Sequence, residues 1–161
     1  MTQPTLERLT ELRLTPEIQR IINEAFVPND LPFIMAHVDD KGRPSMSWRG
    51  STIALNETQV AVWARHSDGA TVTALEQRPD VMLAYRESGG PGQRSVAILN
   101  IRGKARIDRS DEGRKHVFDR IPQRERDGDP GMLGVAIVID IESVGGIIPG
   151  CILQMRKERP D

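Results

Sequence analysis

From Leu31 onward this chain places apolar residues at every second position, and only short connections separate the stretches that do so. That pairing of features constrains the fold more than anything else in the sequence. A side-chain period of two marks strands with one buried face. Connections of a few residues join antiparallel neighbours, because a parallel return takes a dozen residues or more. The clearest stretch is 96–107: Leu99, Ile101, Gly103, Ala105 and Ile107 share one face, and Asn100, Arg102, Lys104 and Arg106 share the other. Residues 31–38, 44–55, 60–64, 81–85, 135–141 and 151–155 read the same way. Asp39-Asp40-Lys41-Gly42-Arg43 is a hairpin turn with glycine at its left-handed position. Residues 70–77 form a short helix stopped by Pro79, and Ser110 caps another running to about Ile121, with Asp111 and Glu112 at its positive end. Residues 88–92 and 123–132 are loops. So many short strands in one chain predict a mainly β, antiparallel, closed barrel, since closure removes exposed edges.

Ahead of the strands, residues 5–27 read as helix in two pieces. Leu6, Leu9 and Leu12 are spaced by three; Thr15-Pro16 then gives an N-cap followed by proline at the first helical position. Ile18, Ile21, Ile22, Ala25 and Phe26 follow as one apolar stripe, which must lie on the chain's own sheet or on a second subunit. The expected organisation is therefore a single domain over 1–161 with a helical N-terminal extension over 1–30. The 161 residues suffice for one core. A net charge of −1 gives no global pull toward nucleic acid or an anionic membrane. The single cysteine, Cys151, excludes an internal disulfide and fits a cytoplasmic setting. The charged N-terminal stretch lacks the apolar run of a signal peptide, and no run approaches a membrane span.

One strand breaks its own rule. Within 44–55, Met46 and Trp48 are apolar at even positions, whereas Ile53 and Leu55 are apolar at odd ones. A strand with one buried face cannot do this, because a one-residue slip exchanges its faces. Either a bulge at Gly50 resets the register, or the face changes from core to pocket around Arg49-Gly50-Ser51-Thr52; the ordinary alternative is a solvated arginine and a simple kink. Close by in sequence, Arg65-His66-Ser67-Asp68-Gly69 leads into the helix at Ala70. Free N–H groups at Gly69, Ala70 and Thr71, the Thr71 hydroxyl and the cationic Arg65 and His66 together suit a phosphate, although a charged loop with Ser67 or Asp68 as N-cap would read alike. His37, His66 and His116 show no metal-ligand spacing; no metal is expected. Cys151 has no visible base.

The lettering LPFIMAHVDDKGRPSMSWRG (31–50), VAVWARHSDGATVTAL (60–75), QRPDVMLAY (77–85) and LNIRGKARI (99–107), taken as an ordered set, resembles the pyridoxamine 5′-phosphate oxidase-like superfamily of FMN-binding split barrels. The resemblance implies a six-stranded antiparallel split barrel, a homodimer with flavin mononucleotide (FMN) at the subunit interface, and a small-molecule oxidoreductase substrate. It implies cofactor contacts from Arg49, Gly50, Ser51 and Thr52, from Ala64 and Arg65 beside the ring and ribityl chain, and from Ser67, Gly69, Ala70 and Thr71 around the phosphate, with His66 of the same loop a further candidate contact. Many members carry a lysine at the helix start where this chain has Thr71, which should weaken FMN binding unless Arg49, Arg65 or His66 substitutes for it. Nothing in the apolar stretch 147–155 matches the vitamin B6 substrate residues of the family, and no acid or base is assigned. Two alternatives remain within the same fold: a deazaflavin F420-dependent reductase, and a binding protein for haem or another tetrapyrrole with His37 or His66 as ligand.

Overall fold

In the computed structural model, which describes residues 5–158, the alternating segments join into one sheet. The strands are β1 (Glu7–Leu9), β2 (Phe33–Val38), β3 (Pro44–Arg49), β4 (Ile53–Ala54), β5 (Gln59–Ala64), β6 (Asp80–Ser88), β7 (Ser95–Asp108), β8 (Val135–Ile148) and β9 (Cys151–Arg156). The helices are α1 (Pro16–Glu24), α2 (Ala70–Gln77), α3 (Asp111–Phe118) and the single turn α4 (Gln123–Arg126). The main order is β1-β9-β8-β7-β6-β2-β3, with β4 on β5 and β5 on β8. β8 pairs with β5 through 135–140 and with β9 through 143–148. One long strand thereby serves two parts of the sheet.

Three expectations need correction. The described residues hold nine strands rather than the six that the resemblance implies: all seven alternating segments form, 44–55 divides into β3 and β4, and β1 is added. The sheet is mixed and open: β1 runs parallel to β9, and β3 and β4 share no ladder. The extension is not helical throughout. Residues 1–4 lie outside the described part; Glu7–Leu9 is a strand, and only Pro16–Glu24 is helix. The edge of β9 presents unpaired backbone groups, and the Glu7 N–H donating to Gly150 O at 3.0 Å begins to satisfy them. The second piece behaves as read: Thr15 Oγ1 accepts from Ile18 N at 3.3 Å, and proline follows.

The stripe of α1 packs on the chain's own barrel. Ile18 and Ile22 are fully buried in one core with Phe33, Leu83, Leu99, Ile101 and Ile137. A second cluster lies across the sheet, where Val117 and Ile121 cover Ile53, Ala61, Trp63, Ala136 and Val138. β5 is therefore buried on both faces, and alternation alone could not separate its sides. The predicted hairpin forms, with Gly42 at φ +76°. Ser110 Oγ accepts from Gly113 N at 3.1 Å, but that helix ends at Phe118, short of Ile121. No helix among the described residues is long and apolar enough to cross a membrane.

Candidate functional site

The strand with the parity switch is two strands. It stops at Arg49 and resumes at Ile53, with a turn between in which Thr52 Oγ1 donates to Arg49 O at 2.9 Å. β3 is the last strand of the main order. Its register against β2 sets Phe33 opposite Arg49, Met35 opposite Ser47 and His37 opposite Ser45. Opposed residues share a face, so β3 turns Ser45, Ser47 and Arg49 toward the core side and leaves Met46 and Trp48 outside, 72% and 70% exposed.

Arg49 Nε donates to Ser47 Oγ at 3.0 Å, and Nη2 donates to Thr71 Oγ1 at 3.3 Å. Among the described residues no carboxylate lies within 4.0 Å of it. Burial pushes its guanidinium below the ordinary arginine pKa, and the field of Glu125 offsets part of that. A half-buried cation with only two hydroxyl partners is unusual, because desolvating a charge is costly unless an opposite charge answers it. Thr71 lies in the first turn of α2, whose N-cap is Gly69, with no side-chain cap bond. Neither Ser67 nor Asp68 closes that end. The Gly69 N–H is taken by His66 O at 3.1 Å; the N–H groups of Ala70 and Thr71 lack intrahelical partners by position.

Arg49 opens onto a cleft of about 320 Å³ lined by Trp48, Gly50, Ser51, Trp63, Arg65, His66 and Glu125. The structure thus gathers Arg49, Gly50, Ser51, Arg65 and His66 as the sequence suggested, with Thr71 bonded to Arg49. Ala64 ends β5 as a core residue that does not line the cleft, while Ser67, Gly69 and Ala70 sit beyond the cleft on the next loop and helix start. Two expected donors are occupied inside the protein. Ser51 Oγ donates to Trp63 O at 3.3 Å and accepts from Trp63 N at 3.0 Å, replacing a strand ladder; the Thr52 hydroxyl is held by Arg49 O. The open side of Gly50 is filled too, since a Cβ there would lie 2.7 Å from Phe26 and 2.8 Å from Glu125 Oε1.

Sequence reasoning missed the residues that shape the other side. Glu125, on α4, meets Arg65 Nη2 at 3.3 Å through Oε2. Arg65 rests on Gly128, where a Cβ would fall 2.4 Å from the guanidinium carbon. Asp129 accepts from Trp63 Nε1 at 3.0 Å and from the N–H groups of Leu133 and Gly134. Burial pushes the Asp129 pKa up, but those donors more than reverse it, so the carboxyl stays below its ordinary range. Arg109 ties Ser67 O to Glu76 of α2 at 2.9 and 2.7 Å. The side-chain pairs Arg65–Glu125, Trp63–Asp129 and Arg109–Glu76 are far apart in sequence, and no local pattern announces them. Among the described residues no cluster of His, Cys, Asp or Glu could hold a metal.

No family model matches the chain, and no curated protein matches it. Solved structures do. The FMN-binding protein of Syntrophomonas wolfei superposes with a TM-score of 0.64 at 10% identity, over 81% of this chain and 86% of that one. A candidate pyridoxamine 5′-phosphate oxidase of Lactobacillus delbrueckii gives 0.58 at 18% identity over 84% and 96%. The fold is the pyridoxamine 5′-phosphate oxidase-like split barrel. HupZ of Group A Streptococcus has it as well, with a TM-score of 0.61 at 18% identity over 86% and 97%. Split barrels with this little sequence in common share a backbone, and function lies in the side chains built on it.

Proposed function

We propose that this split barrel binds FMN and works as an oxidoreductase on a small molecule, as a homodimer with the cofactor at the subunit interface. The observation that carries the reading is Arg49: a half-buried guanidinium without a carboxylate, bonded to Thr71 in the first turn of α2. A phosphate answers every open feature there, since it would neutralise Arg49 and accept from Thr71 and from the N–H groups of Ala70 and Thr71. Arg49 is then the substitute for the lysine that Thr71 replaces, because Arg65 is turned to Glu125 and His66 is exposed.

Bound FMN would supply hydride or electron transfer; the chain's own residues bind it, orient it and screen it from water. Trp48, Trp63 and Gly50 offer wall surface beside the cleft. The homodimer is supported by the outer face. Trp48 and Met46 there pair with Ile34 and Ala36, which pair with Ala84 and Met82, and a groove of about 360 Å³ runs along Leu31, Pro32, Ile34, Trp48 and Ile98. An exposed apolar patch on a sheet face asks for cover, and a second copy would bring the two clefts to one interface.

The test is parallel titration of the purified protein with FMN, F420 and haem, read by flavin absorbance, fluorescence quenching and the Soret band. FMN should bind most tightly. No flavin bands and no FMN affinity would overturn the reading; preference for F420, or a Soret shift lost on replacing His37 or His66 by alanine, would redirect it.

A further inference from the structure

Two arginines face one cleft, and the chain treats them oppositely. Among the described residues Arg49 has no acid within ion-pair distance, whereas Arg65 has Glu125. Glu125 is the better buried of that pair, its side chain 18% exposed against 47% for Arg65. Its field also reaches Arg49. Its Oε1 lies over Gly50, closer than any Cβ would allow, and its Oε2 meets Arg65, so the carboxylate spans the wall between the two cations. The rest of α4 is fastened outside the cleft: Arg124 stacks over Phe26 with 4.8 Å to the ring centroid and pairs with Asp30 at 3.0 Å. Glu125 is thus held in place by neighbours that do not line the cleft.

We infer that Glu125 is the cleft's own counter-anion, which an incoming ligand anion displaces from Arg65. The inference rests on the reading of the cleft as an anion site. An ion pair with one partner half in water is weak, so a phosphate can exchange with it. A carboxylate left in place would repel the arriving charge and lower affinity. Glu125 therefore sets how tightly the site discriminates a phosphorylated ligand from its uncharged counterpart. The chain holds its second arginine back until a ligand charge arrives.

The experiment compares wild type with Glu125→Gln, which keeps shape and one hydrogen bond to Arg65, and with Glu125→Ala; thermal melts confirm folding. Affinities are measured for FMN and for riboflavin, which lacks the phosphate, and stabilisation by inorganic pyrophosphate is read from the melting temperature. Displacement predicts that both variants bind FMN about two- to fivefold more tightly, bind riboflavin unchanged and gain more from pyrophosphate than wild type does. Weaker binding of both flavins would make Glu125 a hydrogen-bond acceptor for the ligand and overturn the inference, as would no change in any of the three. If none of the three proteins binds a flavin, the FMN reading falls by itself. The inference then stands only if pyrophosphate still stabilises the variants more than wild type.

Discussion

β7 and β3 are strands of the same sheet and obey opposite rules. On β7 the inward side chains Ala97, Leu99, Ile101 and Ala105 are buried, and Arg102, Lys104 and Arg106 stand in solvent. On β3 the inward side chains are Ser45, Ser47 and Arg49, and the outward ones are Met46 and Trp48. β7 lies in the interior of the sheet, between β6 and β8, so its inner face can only be core. β3 is the end of the main order and is free of that demand. Inverted polarity on an end strand marks a place where the inside is a lining for something polar and the outside is unfinished. The lesson is that the barrel is held by one strand and its proposed chemistry is carried by another.

Leu99→Ala on β7 should cost about 2–5 kcal/mol of stability by chemical denaturation; a small loss would mean that this face is not the core. Arg49→Ala on β3 should leave stability nearly unchanged and weaken FMN by about 1.5–3 kcal/mol in a quenching titration. The reverse result, an unstable protein with intact affinity, would make Arg49 a structural residue. Trp48→Ala should weaken self-association by about 2 kcal/mol or more in sedimentation equilibrium, as central interface aromatics do; a wild type that is monomeric at every concentration would remove the reason given for the outward apolar side.

The smallest effect concerns His37, which continues the polar lining opposite Ser45. It is 8% exposed, and its Nδ1 lacks a partner among the described residues. Burial lowers its pKa from the ordinary 6.5, the charge of Arg49 lowers it further, and Asp39 opposes both. The unfolded chain therefore takes up the proton at a higher pH than the native chain does. Stability is full above about pH 6.5, falls as pH drops toward the depressed value, and is level below it. His37→Asn should flatten that part of the melting-temperature profile. An unchanged slope would place the sensitivity elsewhere.

Much of this was legible before folding. The two faces of β7, the turn at Gly42 and the start of α1 at Thr15-Pro16 follow from local rules that neighbours a few residues away enforce. The anomaly at Arg49-Gly50 was legible as an anomaly, because parity is local; its cause, a break into β3 and β4, was not. The strand at Glu7–Leu9 stayed hidden, since three leucines spaced by three fit a helix equally well, and only the open edge of β9 chose otherwise. Glu125 could not be found at all. It stands 60 residues from Arg65 in a charged loop like many others, and nothing nearby marks it.

The sequence by itself determined the alternation, the antiparallel preference and the presence of cations beside the helix at Ala70, because side-chain period and connection length act at short range. Only the tertiary structure decided which cation is left uncompensated. Charge compensation depends on which distant groups packing brings within a few ångströms, and packing gave Glu125 to Arg65 and two hydroxyls to Arg49.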